Sequence, residues 1–305
     1  MRLRDVCDLL LLAALWGGSF LFMRVAAPQF GPFPLMALRT SVGAACLIPF
    51  VLAAGGAGEL GRYSGRLLAV GILTAAIPFV MFAYAVLTLS AGFASILNAT
   101  VPFWGALVAF VWFGERLSGW RVIGLLVGFG GVLVLVWGRV SFGADGSGLA
   151  VLAILAATLS YAVSASFTRR YLSELAPLSN AAGSLIGASV VLLPLAFMQW
   201  PQQPPDLAAW SSTLMLGVLS TGLAYVLFFR LIDRIGSTRA ITVTFLIPVF
   251  GMLWGALFLG ESTTLNMVAG TVVILLGTAL TTGLLDPARG FKRTAAEGPV
   301  RRTAR

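Results

Sequence analysis

Ten apolar runs, each close to the length that crosses a bilayer, follow one another along this chain with only short breaks between them. An α-helix rises about 1.5 Å per residue and the hydrocarbon core is about 30 Å thick, so roughly 20 apolar residues make one crossing. The runs fall at 8–27, 34–54, 66–88, 92–113, 119–137, 148–168, 179–198, 208–229, 238–258 and 265–285. Composition agrees: 59% of residues are hydrophobic and 10% charged, against roughly 25% charged in a soluble domain. Breaks carrying Gly, Pro, Ser or Arg suit a tightly packed bundle. No soluble domain fits between the runs. The segment 286–305, "DPARGFKRTAAEGPVRRTAR", is basic and apolar-poor, and is expected to form a cytoplasmic tail without packed structure.

The balance of +9 does not point to nucleic acid, because the arginines sit in short gaps between apolar runs and not on a basic face of a soluble fold. No nucleic-acid partner is expected. His is absent, which removes the commonest catalytic base and metal ligand. Cys7 and Cys46 lie in or beside apolar segments, so neither a disulfide framework nor a metal site is indicated. No cofactor is expected.

Loop charge sets direction across the membrane. With the N-terminus in the cytoplasm, the segments on that side hold 17 of the 20 Lys and Arg residues. Arg24, Arg39 and Arg139 fall towards the other side, and both termini are expected in the cytoplasm.

The chain also repeats itself. "ATVPFWGALVAFVWFGERL" (99–117) is answered 146 residues later by "FLIPVFGMLWGALFLGEST" (245–263). The same shift pairs Gly71 with Gly217, Phe82 with Phe228, Pro102 with Pro248, Gly114 with Gly260, Glu115 with Glu261 and Gly131 with Gly277. Near the start a shift of 145 pairs Ser19 with Ser164, Arg24 with Arg169 and Pro32 with Pro177, and sets Trp16 opposite Tyr161. The basic, apolar opening therefore reads as a first spanning helix and not as a cleaved leader. The expected fold is an all-α membrane protein of ten transmembrane helices, built as two inverted five-helix repeats, 1–140 and 141–285. Five is odd, so the second copy crosses upside down relative to the first, as in carriers that work by alternating access.

Each half ends in a Pro-bearing helix closing on Gly-Glu ("WFGERL", "FLGEST") and a Gly-rich last helix ("GLLVGFGGVLVLV", "GTVVILLGTALTT"), and the first helix carries "ALWGGSFLFMRVA". These features resemble the EamA-type branch of the drug/metabolite transporter superfamily, over essentially residues 8–285. The second half departs from the pattern at Tyr161-Ala162, where the first has Trp16-Gly17. The resemblance implies a bacterial inner-membrane permease, an exporter of small metabolites, amino acids or drug-like solutes.

A proline inside a helix orphans the carbonyl four residues earlier, a loss of about 3 kcal/mol in soluble helices. Pro102 would release Asn98, Pro248 would release Thr244 and Pro78 would release Thr74, each bearing a polar side chain near mid-membrane. Helical spacing puts Ser95 and Asn98 on one face with Pro102. Trp16, Ser19 and Phe20, with Tyr161 and Ser164, would add aromatic walls and hydroxyls; Phe79 and Tyr225, paired by the repeat, could supply two more. Prolines that only kink helices, and aromatics that only pack, account for the same residues. Gly124, Gly128, Gly131, Gly270 and Gly277 read as close helix contacts. No charge falls in the expected middle of a span. Arg24 and Arg39 are expected to snorkel or pack, and Glu115 and Glu261 to anchor loops or pair with cations.

This lining suits a neutral, zwitterionic or amphipathic small solute, carried by a monomer or homodimer in contact with membrane lipid. An enzyme on lipid-linked substrates lacks a visible base or acid pair. A non-transporting scaffold on the same fold stays open.

Overall fold

The computed structural model of the protein describes residues 2–138, 141 and 146–285. The basic tail 286–305 and Arg139 lie outside the described residues. Among the described residues every regular element is helical. Ten helices carry the apolar runs: α1 (Leu3–Phe30), α2 (Pro32–Ala53), α3 (Ser64–Ala85), α4 (Ala91–Phe113), α5 (Gly119–Val136), α6 (Ser147–Tyr171), α7 (Pro177–Met198), α8 (Leu207–Ile235), α9 (Val243–Leu259) and α10 (Leu265–Thr281). The first eight are long and apolar enough to cross a membrane, and α9 and α10 are apolar but shorter, at 17 residues each. Large apolar side chains point outward, Val111 at 81% and Leu126 at 71% exposure. Such a surface is stable against lipid and not against water.

Local chemistry explains the helix ends. Ser90, Ser118, Asp206 and Thr264 accept hydrogen bonds from the first turns of α4, α5, α8 and α10, supplying acceptors for otherwise orphaned N–H groups. The recurring Gly-Glu also has a cause. Gly114 and Gly260 close α4 and α9 with left-handed backbone, φ 67° and 63°, a conformation glycine adopts without steric cost.

Two helix interiors are interrupted at matching places of the repeat and one is not, and the prolines do not account for them alone. A π-helical turn widens α3 at Ile72–Ala76 and α8 at Val218–Leu223, starting 146 residues apart. Pro78 follows the first, whereas Ala224 holds the matching place in the second, so the wide turn forms with or without proline. α4 breaks in a turn at Ala99–Thr100, and Pro102 is the second residue of the segment that follows, Val101–Phe113. Pro78 and Pro102 thus start helical segments, where a fixed φ and a missing N–H are harmless; Pro248, like Pro49 and Pro194, lies inside a continuous helix. The run expected to begin at 238 instead opens with a short turn, Ser237–Ala240, before α9 starts at Val243.

The packing of the halves has a simple pattern. α1 packs on α8 and α9, and α6 packs on α3 and α4. α2 lies against α7 and α8, and α7 against α2 and α3; α4 meets α9, and α5 meets α10. Swapping α1–α5 with α6–α10 returns the same principal pairs. The α5–α10 crossing is backbone on backbone: a Cβ at Gly277 would sit 2.5 Å from Gly128 Cα, and one at Gly131 would sit 2.8 Å from Ile274 N. Lipid is as apolar as leucine, so close van der Waals approach through small residues is what holds such helices together.

Candidate functional site

The expected site residues separate into a group the fold brings together and a group it does not. Tyr161 and Phe20 converge on Phe82 where α1, α3 and α6 meet: Phe20 meets Phe82 edge-on at 5.6 Å, and Phe82 stacks with Tyr161 at 6.2 Å, with Phe79 one turn earlier on α3. Thr74, on the wide turn of α3, hydrogen-bonds Ser164 of α6. Nearby, Ser160 donates to Leu73 O at 2.7 Å, satisfying a carbonyl of that turn. Across the interface Tyr225 stacks on Phe229 at 5.9 Å. Asn98 is half-buried, and its amide has no protein partner among the described residues.

Other residues are spent locally. Ser19 donates to Trp16 O at 2.6 Å, and the Trp16 ring packs on Phe228 at 5.1 Å. Ser95 donates to Gly92 O at 2.7 Å and sits against Gly251 of α9. Thr244 donates to Ile241 O at 2.8 Å, closing its own turn. At the break in α4, Thr100 donates to Leu97 O and Thr278 donates to Ala99 O. The carbonyls flanking Asn98 are therefore taken by protein hydroxyls.

The residue whose role sequence reasoning left open is Arg39. The sequence leaves it to snorkel or to pack, with no charge in the middle of a span; of the two, the structure shows packing. The structure puts it in the interior at 6% exposure, the eighth residue of α2 and about 10 Å along the helix from its start. Its guanidinium lies 3.7 Å from the centre of the Phe79 ring. Nε donates to Thr221 Oγ1 at 3.1 Å, and Nη1 reaches Met23 Sδ at 3.8 Å. Thr221 in turn donates to Leu216 O, five residues back across the wide turn of α8. Tyr161 and Tyr225 lie within electrostatic reach of the same guanidinium. Among the described residues the ion pairs belong to Arg169 and Arg234, and no carboxylate faces Arg39. Burying an unpaired charge costs several kcal/mol, whereas cation–π contact returns about 0.5 to 2 kcal/mol. A single ionisable residue two turns into an apolar helix was the available signal.

Helix ends carry the remaining polar contacts. Asp5 and Asp8, at the start of α1, pair with Arg234 at the end of α8. Arg169, ending α6, pairs with Glu115 at 2.6 Å over the Phe113 ring. Glu261 accepts from the N–H groups of Ala91 and Gly92 at 2.8 and 3.2 Å, at the first turn of α4. Gln29 accepts from Asp206 N, and Arg24 donates to the carbonyls of Val86 and Leu87. Two hollows open elsewhere. An apolar groove of about 380 Å³ runs along Trp104, Leu107, Val108 and Leu159 on the outer flank, and a polar one of about 240 Å³ lies at helix ends beside Arg66, Arg170 and Glu174. Neither reaches the Arg39 cluster.

The EamA-like transporter family model matches the chain twice, over residues 6–137 and 148–283. An uncharacterized transporter of Archaeoglobus fulgidus is 24% identical over 88% of this chain and 95% of its own length. A probable amino-acid metabolite efflux pump of Escherichia coli is 27% identical over 91% of this chain and 94% of its own. A solved crystal structure superposes with a TM-score of 0.67 at 21% identity, covering 96% of this chain and all of that one, which is a likeness of fold. Family and relatives point to a transporter and not an enzyme. With its apolar helices and two matches covering most of its length, the chain is a multi-pass membrane protein and belongs to the EamA-like transporter family.

Proposed function

We propose that the protein is a secondary carrier exporting small metabolites, amino acids or drug-like solutes by alternating access between two inverted repeats, 1–140 and 141–285. The exchange symmetry of the helix pairs carries this reading: every principal contact between the halves has a counterpart when the halves are swapped. Two such halves can trade conformations at little net cost, turning a site between them from one side to the other. The polar contacts at helix ends are consistent with a ten-pass path, since each joins ends that alternate crossing puts on the same face. The efflux-pump name of the Escherichia coli relative supports amino acids as the first solutes to try.

The substrate wall in this reading comprises Phe20, Phe79, Tyr161 and Tyr225, with Thr74, Ser164 and Asn98 as polar contacts and Trp16 flanking them. The carrier lies in a bacterial inner membrane with both termini cytoplasmic, in contact with lipid, as a monomer or homodimer. The test is counterflow of radiolabelled amino acids, nucleosides and organic cations in liposomes holding the full chain. The expected result is saturable, protein-dependent exchange of at least one solute. Trp16→Ala and Asn98→Ala should slow it about ten-fold, equivalent to about 1.4 kcal/mol, at unchanged protein level. Exchange no faster than in empty liposomes for every solute overturns the proposal.

A further inference from the structure

We propose that Arg39 is the anchor for a carboxylate on the transported solute, gripping it between the two halves; this rests on the transport reading above. The guanidinium is buried and faces no acidic group among the described residues. Of its N–H donors, Nε is spent on Thr221 Oγ1 and Nη1 touches only the Met23 sulfur. Thr221 donates onward to Leu216 O, so its hydroxyl has one orientation and holds Nε in place. The outer edge of the fork, Nη1 and Nη2, is left without an oxygen partner. A carboxylate matches that edge with two parallel hydrogen bonds, a geometry that lysine and neutral donors cannot offer. The phenol hydroxyls of Tyr161 and Tyr225 lie within electrostatic reach of Arg39 and have no protein hydrogen-bond partner among the described residues.

The repeat separates this role from packing. The 145 shift that governs the start of the chain matches Arg39 to Ser184 on α7, and the 146 shift matches Thr221 to Ala75. The α7–α3 contact is the mirror of the α2–α8 contact, and there Ser184 donates to Ala181 O within its own helix. The same helix contact therefore forms without a charge. Arg39 is a single cation on a nearly symmetric frame, lying over Phe79, whose repeat partner is Tyr225. One charge close to the relation between the halves serves one bound anion in either orientation of the carrier. A structural cation would not need that position.

The experiment compares matched probes on the purified full chain in liposomes: phenylalanine and leucine, their amides, and the corresponding amines lacking the carboxylate. Inorganic phosphate is a competing anion. Counterflow and thermal stabilisation are both read. The wild-type protein should move and be stabilised by the amino acids about ten-fold better than by amides or amines, the difference one charge-assisted contact makes. Arg39→Gln should lower the amino-acid-to-amide ratio by about the same factor, and Arg39→Lys should restore part of it. Wild-type discrimination needs no variant, so it decides the matter even where Arg39→Gln fails to fold. Equal handling of acids and amides by the wild type, competition by phosphate alone, or an unchanged ratio in Arg39→Gln overturns the anchor and leaves the carrier reading standing. Failure to move or bind any probe overturns both.

Discussion

Glu115 and Glu261 are the same residue of the repeat in two different surroundings. Glu261 accepts from two N–H groups at the start of α4, where the helix dipole favours an anion. Glu115 pairs with Arg169 in the open, with side chains 37% and 63% exposed, and exposed pairs contribute about 0 to 1 kcal/mol. We expect Glu261→Ala to destabilise the protein by about 1 to 2 kcal/mol and Glu115→Ala by about half a kcal/mol or less. Thermal unfolding in detergent measures both, and equal losses would remove the capping role. Sequence spacing marked both glutamates as anchors or ion-pair partners. It could not show which one caps a helix, because the N–H groups of Ala91 and Gly92 lie 170 and 169 residues away. The choice between snorkelling and packing at Arg39 was open for a related reason. Its distance from the end of an apolar run allowed either, and the partners that keep it inside, Phe79 and Thr221, belong to other helices.

At the scale of elements, the wide turns of α3 and α8 occupy matching places although only the first has a proline. Pro78→Ala should therefore keep the turn and change stability by less than about 1 kcal/mol, since proline near a segment start is permitted and not required. A collapse of folding or loss of membrane insertion on that change would show the proline to be essential. The α5–α10 crossing predicts the opposite sensitivity. Gly277→Ala would push a methyl against Gly128 and should lower the melting temperature measurably, whereas Gly130 has open space around the new methyl. Gly130→Ala should be neutral or stabilising by up to about 1 kcal/mol through helix propensity. At the start of α8, the Ala209 N–H and then the Gln29 side chain hold the Asp206 carboxyl below its usual range. A depressed carboxylate stabilises the fold above its unfolded value, and that contribution is lost as pH falls through the lower folded value. Asp206→Asn should flatten the acid side of a pH–stability curve by this amount. The glycine stripe and the Gly-Glu helix ends were legible in the sequence because local geometry demands small or left-handed residues there; the break in α4 was not, because hydroxyls from Thr100 and Thr278 share in satisfying it.

For the whole molecule, the proposed ten-crossing path puts both termini on one face. Reporter fusions at the N-terminus, at Ser118 and at the C-terminus should read cytoplasmic, and fusions at Gly31 and Ser90 should read external. Opposite readings for the two termini would end the inverted-repeat proposal. The sequence alone determined the helical class, the extents of most crossings to within a few residues and the doubling of the chain. Each of these depends on local matters: apolar length against bilayer thickness, helix rise, and residues that end helices. Tertiary structure alone decided which faces meet, which polar groups are used up on their own turns, and that one cation is kept at the junction between the halves. The physical reason lies in the solvent. Lipid is as apolar as the side chains packed against it, so hydropathy does not distinguish a lipid-facing leucine from a buried one, and Arg39 and Thr221, 182 residues apart, are joined only by the fold.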